Sequence, residues 1–386
     1  MAHPSAPAAV ELRGISHTYD SRHHAVTTLR DVSVELPIGS WTAVMGPSGS
    51  GESTLRRGRN RDHDVGGGDR DRRRAGRRGA DGRRPPRKRN TVGDRTGAAP
   101  HRSGDIDTRI EMARRIDTGS DHLTTEVDDH GVAVITMNRP DRRNALTTDM
   151  LSGLASSLAE LELASDVRCV VLTGAGGAFC AGGDVKGFAE GGGAASGQGS
   201  WDEGVHQQRL SHKSTSGVLF NMPKPTVAAI GGAAAGAGLS LALACDIRIA
   251  LDTAVMTTAF ARVGLAGDYG GTWFLTQLVG PAKAKELYFM PERLDMSTAL
   301  DLGIVNTVAS VDDFDDVWRT TAARLAAGPP IAYRYMKENI NRSIVGDLDT
   351  TLELEATHHR HSGTTRDHLE ASKAFVDKRE PEFEGR

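Results

Sequence analysis

A run of twenty residues without a charged side chain constrains the fold of this chain more than any other feature. The run, from Thr226 to Cys245, reads TVAAIGGAAAGAGLSLALAC and is as long as a membrane span. Alanine and glycine dominate it, a Gly-Gly pair interrupts it, and Asp246 and Arg248 follow directly. Such thin apolarity favours a buried strand, a turn and a helix over a membrane-spanning helix. We therefore expect this stretch to lie in the protein core, and we expect no membrane partner.

Strand and helix patterns alternate around this run. The strand patterns are GVAVITM (131–137), VRCVVLTG (167–174), TVAAI (226–230) and DIRIAL (246–251). A helical pattern opened by Thr147 and Thr148 lies between the first two strands, and a helix after Ala237 lies between the last two. The apolar face of the first helix carries Met150, Leu151, Leu154, Leu158 and Leu161. Repeated strand–helix–strand units predict an α/β fold with a parallel sheet and crossover helices.

The segment from Arg56 to about His122 has a composition unlike the rest of the chain. Between residues 56 and 90 there are fourteen arginines and one lysine against five aspartates, and Val65 is almost the only large apolar residue. Such a segment buries too little surface to offset its chain entropy, so we expect a disordered linker over 56–122. A nucleic-acid-binding arm is the alternative, but the aromatic residues that would stack on bases are missing. The lack of periodicity also fits translation in a shifted reading frame.

The first 55 residues resemble the start of an ABC-transporter ATPase. Two alternating strand patterns lead to GPSGSGEST, which has the spacing of a phosphate-binding loop. Glu52 stands where that loop requires lysine, and a carboxylate beside a phosphate is repelled by a few kcal/mol, roughly, at an intermediate dielectric. The later strands and the magnesium-binding aspartate of such an ATPase cannot be found. We therefore expect a truncated segment without ATPase activity.

Three later segments resemble the enoyl-CoA hydratase/isomerase family, also called crotonases. They are NRPDRRNAL (138–146), GAGGAFCAGGDVKGF (174–188) and GGAAAGAGLSLALACDIRIA (231–250), and the resemblance runs from about Thr124 to Arg386. It implies a crotonase-like ββα spiral core over residues 123–310 and a carboxyl-terminal helical region over 311–386. It also implies a homotrimer or hexamer. Apolar positions at helical spacing predict the terminal helices independently.

The resemblance implies an enzyme that acts on acyl-CoA thioesters, with coenzyme A arriving as part of the substrate and no permanently bound cofactor. Removing a proton near a thioester carbonyl gives an enolate whose charge falls on the thioester oxygen. Two backbone N–H groups aimed at that oxygen would stabilise it, and small flanking residues allow the close approach. By resemblance these donors are the amides of Gly183 and Ala237. The alternative is that these small residues only make tight turns.

The same segments imply where coenzyme A binds. In the family the backbone around residues 181–186 runs past the pantetheine and adenine, and two basic side chains contact the phosphates. The implied contacts are Ala181, Gly183, Asp184, Val185 and Lys186, together with Arg143 and the carboxyl-terminal Lys378. Each basic side chain also has an ordinary explanation as a solvated surface charge.

The carboxylates decide which reaction is expected. Typical hydratases of the family use two glutamates, and alignment places Ser240 and Phe260 at those positions. Asp268 remains, within GLAGDYGGTWFLTQLVG, a segment that is most similar to ring-1,2-epoxyphenylacetyl-CoA isomerases and related enoyl-CoA isomerases. Gly267 stands where that motif has proline, which loosens the loop. A single carboxylate suits a proton shuttle, so we expect an isomerase with Asp268 as its acid and base, buried beside Phe260, Trp273 and Phe274.

Other interpretations stay open at this point. A hydratase or another lyase of the same fold and a non-catalytic acyl-CoA-binding protein are both compatible with the sequence, and Asp268 could instead serve a turn or a helix cap. Cys180 is expected to be a packed thiol, and the histidines of THHRHSG (357–363) a solvated face, so no metal site is expected. Three cysteines and no C-x-x-C pair favour a reducing cytoplasm.

Overall fold

The computed structural model describes residues 8–21, 24–37, 112–186, 189 and 200–386. The chain divides into two compact units, residues 1–97 and 98–386. In the first unit, strand β1 (Ala8–Ser21) pairs antiparallel with β2 (His24–Pro37), where the two strand patterns of the ATPase-like segment lie. The phosphate-loop motif around Gly46 and the arginine-rich part of the predicted linker fall outside the described residues.

The second unit is built on a seven-stranded sheet within the described residues. Its strands are β3 (Met112–Ile116), β4 (Leu123–Asp128), β5 (Val132–Met137), β6 (Cys169–Gly174), β8 (Thr226–Ile230), β10 (Ile247–Leu251) and β12 (Thr307–Ala309). Their order is β12-β10-β8-β6-β5-β4-β3. The strands β3, β4 and β5 pair antiparallel, and β5 to β12 pair parallel. A small parallel sheet of β7 (Ala178–Cys180), β9 (Ala233–Ala235) and β11 (Met256–Thr257) lies apart from it, in the order β11-β9-β7.

Helices connect these strands and follow them. They are α1 (Thr148–Leu163), α2 (Trp201–Ser214), α3 (Ser216–Asn221), α4 (Ala237–Ala244), α5 (Gly271–Phe289), α6 (Met296–Asp301), α7 (Phe314–Ala326), α8 (Pro330–Ser343), α9 (Leu348–Ser362) and α10 (Arg366–Asp377). Short 3₁₀ helices lie at Pro140–Arg142 and Phe260–Val263. The carboxyl-terminal helices expected from the apolar spacing are therefore present as α7 to α10.

The predicted strand–helix–strand units are confirmed. Helix α1 begins after Thr147, whose hydroxyl accepts a hydrogen bond from the Met150 N–H at 3.1 Å and so caps the helix. Four of its five predicted apolar positions are fully buried, and Leu151 is half-buried. The charge-free run forms β8, β9 and α4 inside the core, as expected. Within the described part of the chain, no helix is both long enough and apolar enough to cross a membrane.

Apolar residues cover both faces of the large sheet, as its parallel strands require. Successive residues of β5 face opposite sides: Ile135 belongs to the larger core cluster with α1, α4 and α5, and Val134 to a smaller one. Phe314 and Trp318 of α7 close that smaller cluster. The small sheet packs on the other side, because Phe179, Cys180 and Ala234 belong to the larger cluster.

Two expectations need correction. The linker predicted over residues 56–122 is too long at its carboxyl end, because β3 pairs with β4 from Met112 onward. The histidines at 358–361 do not form one solvated face. His358 is buried, its ring stacks on Tyr335 with the centroids 4.1 Å apart, and its Nδ1 lies 2.6 Å from Asn339 Oδ1. Among the described residues, no cluster of histidine, cysteine or acidic side chains could hold a metal ion.

Candidate active site

Two neighbouring parallel strands deliver the predicted oxyanion-binding residues to one place. In the small sheet Cys180 of β7 is paired with Ala234 of β9, so the residues that follow each strand lie side by side. A Cβ atom added to Gly182 would stand 3.4 Å from the Ala237 N and 2.8 Å from the Ala235 O. Gly182 also has a φ of +89°, which favours glycine. The structure therefore brings the Gly183 and Ala237 segments together.

The backbone N–H groups of Gly183 and Ala237 are the donors predicted for this place. Within the described residues, neither the Gly183 N–H nor the Ala237 N–H donates a hydrogen bond. Ala237 is the first residue of α4, where N–H groups lack an intrahelical partner and the helix dipole favours an anion. Gly236, just before it, takes a φ of +52° that lets the chain turn into the helix. Both amides are thus available to an oxygen that gains negative charge.

Close backbone packing explains the small residues around the site. A Cβ at Gly232 would lie 2.1 Å from the Gly177 O, and one at Gly238 would lie 2.4 Å from the Cys180 O. Neither position accepts even a methyl group without moving backbone. The glycines and alanines of these segments are therefore required by the approach of β7, β9 and α4 to one another.

Asn144 is an organising residue that sequence reasoning missed. Its side chain is fully buried, and its amide Nδ2 donates to the Ala175 O at 2.9 Å, the Ala178 O at 2.8 Å and the Phe179 O at 3.2 Å. Its Oδ1 accepts from the Arg139 N–H at 2.8 Å. One asparagine therefore fixes the entry to β7 against the 138–146 loop. In the sequence, Asn144 is marked only by its place in the segment NRPDRRNAL (138–146).

Arg139 is a second missed residue of the same loop. Its Nη1 donates to the Ala145 O at 2.8 Å, and its guanidinium lies 3.4 Å from Asp184 Oδ2. Both side chains are largely buried, at 15% and 26% exposure, so this ion pair is less screened than a surface pair. It ties the 138–146 loop to the segment that carries Gly183.

The predicted coenzyme A contacts fall into two groups. Ala181 and Arg143 are joined by a hydrogen bond from the Ala181 N–H to the Arg143 O at 2.9 Å, and Leu146 donates to the Gly182 O at 2.8 Å. The side chains of Arg143, Val185 and Lys186 are exposed. Lys378 is also exposed but lies at the end of α10, where it caps the helix with a φ of 56°. The structure brings residues 143 and 181–186 together, whereas Lys378 belongs to the carboxyl-terminal helices.

Asp268 lies just before α5 in a loop that is only partly buried. Its side chain is 27% exposed, and its Oδ1 contacts His212 Nε2 and accepts hydrogen bonds from Gln208 Nε2 at 2.8 Å and the Tyr269 N at 3.1 Å. Helix α2 supplies His212 and Gln208, neither of which sequence reasoning singled out.

The aromatic surroundings expected for Asp268 are arranged differently. Trp273 and Phe274 pack on Phe220 with ring centroids 5.2 and 5.4 Å away, and Phe260 stacks on Tyr288 at 5.9 Å. The hydrogen bonds of Asp268 run instead to the polar face of α2. The expectation that Asp268 is buried is corrected, because its side chain is 27% exposed and its hydrogen-bond partners on α2 include a residue 56 positions away in the chain.

Ser240 and Phe260, the two residues expected at the glutamate positions of hydratases, carry no carboxylate. Ser240 is buried and its hydroxyl donates to the Gly236 O at 3.2 Å, within α4. Phe260 is buried in the aromatic stack with Tyr288. A Cβ at Gly271 would lie 2.1 Å from Ser240 Oγ, so the first residue of α5 packs directly against this serine.

Gly267 cannot be replaced by the proline of the related motif in this backbone. Its φ is +137°, whereas proline requires about −65°. Tyr269 and Gly270 follow with φ values of 48° and 75°. The loop therefore turns through several left-handed conformations, and contacts from outside must hold it.

Cys180 is inert, as expected. Its thiol is fully buried, donates to the Asn144 O at 3.0 Å, and accepts from the Gly182 N–H at 3.4 Å. Burial raises the pKa of Cys180 to about 12, so the thiolate is absent at neutral pH. The residue packs beside the proposed oxyanion site and takes no part in proton transfer.

Known proteins match the second unit of the chain. The model of the family described as "Enoyl-CoA hydratase/isomerase" matches residues 128–386. A "Probable enoyl-CoA hydratase" of Rhodobacter capsulatus is 38% identical over 66% of this chain and 95% of its own length. The 1,2-epoxyphenylacetyl-CoA isomerase of Escherichia coli is 36% identical over 66% and 96%. The crystal structure of an enoyl-CoA hydratase from Bacillus anthracis is 32% identical, covers 69% of this chain and all of that chain, and superposes with a TM-score of 0.63.

Proposed function

Since the chain belongs to the enoyl-CoA hydratase/isomerase family and is an enzyme that transforms acyl-CoA thioesters, we propose that its reaction is an isomerisation. It would move a double bond, or rearrange an epoxide, in an enoyl-CoA. The protein has the crotonase-like α/β fold. The likeness of residues 1–55 to an ATPase stays a prediction.

The oxyanion site would be the first part of the mechanism. The thioester oxygen would sit between the Gly183 and Ala237 N–H groups, which donate to no other group among the described residues. Loss of a proton from the acyl chain gives a dienolate, and these donors stabilise its charge where it develops. Preorganised backbone donors of this kind contribute about 3 to 4 kcal/mol each to an acyl-transfer transition state.

Asp268 would carry the proton in the second part. As a base it removes a proton from one carbon, and as an acid it returns the same proton to another, so that no water is consumed. Supporting this assignment, Asp268 keeps one carboxylate oxygen outside the hydrogen bonds to α2, while Ser240 and Phe260 occupy the glutamate positions of hydratases. The carboxylate of Asp268, together with Ser240 and Phe260 in place of the two glutamates, is the observation on which the isomerase proposal depends.

Coenzyme A would bind along residues 181–186. We propose that the backbone of residues 181–186, including Asp184 and Val185, contacts the pantetheine and adenine, and that Arg143 and Lys378 contact the phosphates. Arg143 and Lys378 form no ion pair among the described residues, so both side chains are open to an anionic ligand. Three buried cysteines without a disulfide suit a reducing compartment, so we place the protein in the cytoplasm.

A substrate panel with mass spectrometry tests the reaction. The full chain is incubated with 3-enoyl-CoA, 2-enoyl-CoA and ring-epoxide thioesters, and each product is weighed. A product isobaric with its substrate supports isomerisation, and the gain of one water identifies a hydratase instead. Binding of every thioester without turnover would identify a non-catalytic acyl-CoA-binding protein.

Replacing Asp268 with asparagine tests the proton carrier. The amide cannot accept the proton, so kcat is expected to fall roughly 10²- to 10⁴-fold while thioester binding persists. Asp312→Asn is the matched control, because Asp312 is an exposed acid before α7. Undiminished turnover by Asp268→Asn would contradict the assignment.

A further inference from the structure

Asp268 is held through only one of its two carboxylate oxygens. Oδ1 receives the Gln208 Nε2, the Tyr269 N–H and the His212 Nε2 contacts. Within the described part of the chain, Oδ2 takes no hydrogen bond. The carboxylate is thus anchored on one side and open on the other.

The anchor comes from one face of α2. Gln208, Ser211 and His212 have the spacing i, i+3 and i+4, which puts them on one side of a helix. Ser211 Oγ and Tyr269 Oη share a hydrogen bond of 3.1 Å, and the His212 ring packs against the Tyr269 ring with centroids 4.7 Å apart. Burial raises the pKa of Tyr269 to about 12, so its hydroxyl stays protonated and keeps this bond. This face of α2 therefore contacts both Asp268 and Tyr269.

We assign a proton to Nε2 of His212, so that it donates to Asp268 Oδ1, because the proposed base role of Asp268 requires an ionised carboxylate. Gln208 Nε2 lies 3.1 Å from the same ring nitrogen and 2.8 Å from Asp268 Oδ1, and the Tyr269 N lies 3.4 Å from that nitrogen and 3.1 Å from Oδ1. Both groups therefore have a carboxylate oxygen to which they donate.

We propose that His212 is the positioning residue of Asp268. It fixes Oδ1, so that Oδ2 is the oxygen that removes and returns the substrate proton. Gly267 and Gly270, with φ values of 137° and 75°, flank Asp268 and Tyr269 and do not make this loop rigid. The contacts from α2 hold the loop in place. This inference rests on the proposed role of Asp268. Since proton transfer depends steeply on geometry, a misplacement of about 1 Å costs on the order of 10²-fold in rate.

Variants at His212 separate positioning from a merely structural role. His212→Ala is expected to lower kcat about 10- to 100-fold with little change in KM. His212→Gln retains an N–H donor and should recover part of the lost kcat. His206→Ala is the matched control, because His206 is an exposed histidine on the same helix. A kcat for His212→Ala equal to that of the control, or a loss expressed mainly in KM, would overturn the inference.

A double variant tells failure of this inference from failure of the proposed function. If His212 acts through Asp268, adding His212→Ala to Asp268→Asn should change the residual rate less than twofold. An equal fold-loss in both backgrounds would show that His212 acts on its own and would refute the positioning role. Full activity of Asp268→Asn alone would instead refute the proposed function.

Discussion

Asn144 connects four backbone groups beside the proposed oxyanion site. Asn144 is fully buried. Without its side chain, the Arg139 N–H and the carbonyls of residues 175, 178 and 179 would lose their hydrogen bonds to it. Buried polar groups that lose a partner each cost about 1 to 3 kcal/mol. The asparagine is therefore a structural requirement of the site.

Asn144→Ala is expected to lower the free energy of unfolding by about 3 kcal/mol and to reduce turnover as β7 loosens. Urea unfolding of the two proteins measures the first effect. Asn221→Ala is the control, because Asn221 is exposed and donates only to the Gly217 O one helical turn away. Equal midpoints for both variants would contradict the role assigned to Asn144.

Which residues could be predicted from the sequence depended on whether their role is local. Gly183, Ala237 and Asp268 were predicted from segments whose motifs contain them. His212 and Asn144 act on residues 56 and 31 or more positions away, so no neighbouring letter identifies their partners. The polar contacts of Asp268 could not be predicted for the same reason, since His212 and Gln208 lie 56 and 60 positions away.

Helix α2 is the element on which the geometry of Asp268 depends. It buries none of its side chains fully, and Trp201 at its start is 76% exposed. Its first turn is held by a capping box: Ser200 Oγ accepts from the Glu203 N at 3.3 Å, and Glu203 Oε2 accepts from the Ser200 N at 2.7 Å. With so little apolar burial, the cap contributes a large share of the stability of this helix.

Ser200→Ala should therefore lower kcat by weakening α2. Loss of the cap costs about 1 kcal/mol of local helix stability, visible as faster hydrogen exchange of the α2 amides without a large change in Tm. Asp295→Ala removes the cap of α6, where Asp295 Oδ1 accepts from the Thr298 N at 2.8 Å, and should leave kcat unchanged. An equal decrease in kcat for both variants would argue against a special dependence on α2.

Helices and strands were predicted correctly where apolar residues recur at regular spacing. The prediction failed where charged residues pair with residues far away in the chain. The sequence MARRI of β3 carries two arginines in five residues, so it has little of the alternating apolar pattern that predicts a strand. Arg114 in fact pairs with Glu160 at 2.8 Å and with Asp166 at 3.1 Å, at the end of α1 and beyond it. The local sequence likewise does not show that His358 is buried and His359 exposed, because Tyr335, on which His358 stacks, lies on another helix, α8.

At the scale of the whole molecule, the carboxyl-terminal helices expose several large apolar side chains. Phe375 is 86% exposed, Val376 76% and Leu348 71%. Contiguous exposed apolar residues commonly mark contacts between proteins. We propose that residues 311–386 form the oligomerisation region of a homotrimer or hexamer, next to a core of residues 123–310.

Phe375→Asp tests this assembly. The protein is expected to elute with three or six times the chain mass of 41.1 kDa, and the variant with the mass of one chain, because a buried charge destabilises an apolar interface. Light scattering after size exclusion measures both. Lys373→Asp, on the same helix and also exposed, should keep the assembly. A monomeric parent protein would contradict the proposal.

The crowding of backbone around Gly232 and Gly238 limits how this enzyme can be diversified. A mutagenesis library that randomises these positions would consist almost entirely of misfolded members, whatever substrate is selected for. New acyl preferences would have to be sought at other positions, such as the exposed residues of α2 that do not contact Asp268 or Tyr269. The backbone of the proposed oxyanion site would then stay unchanged while other side chains vary.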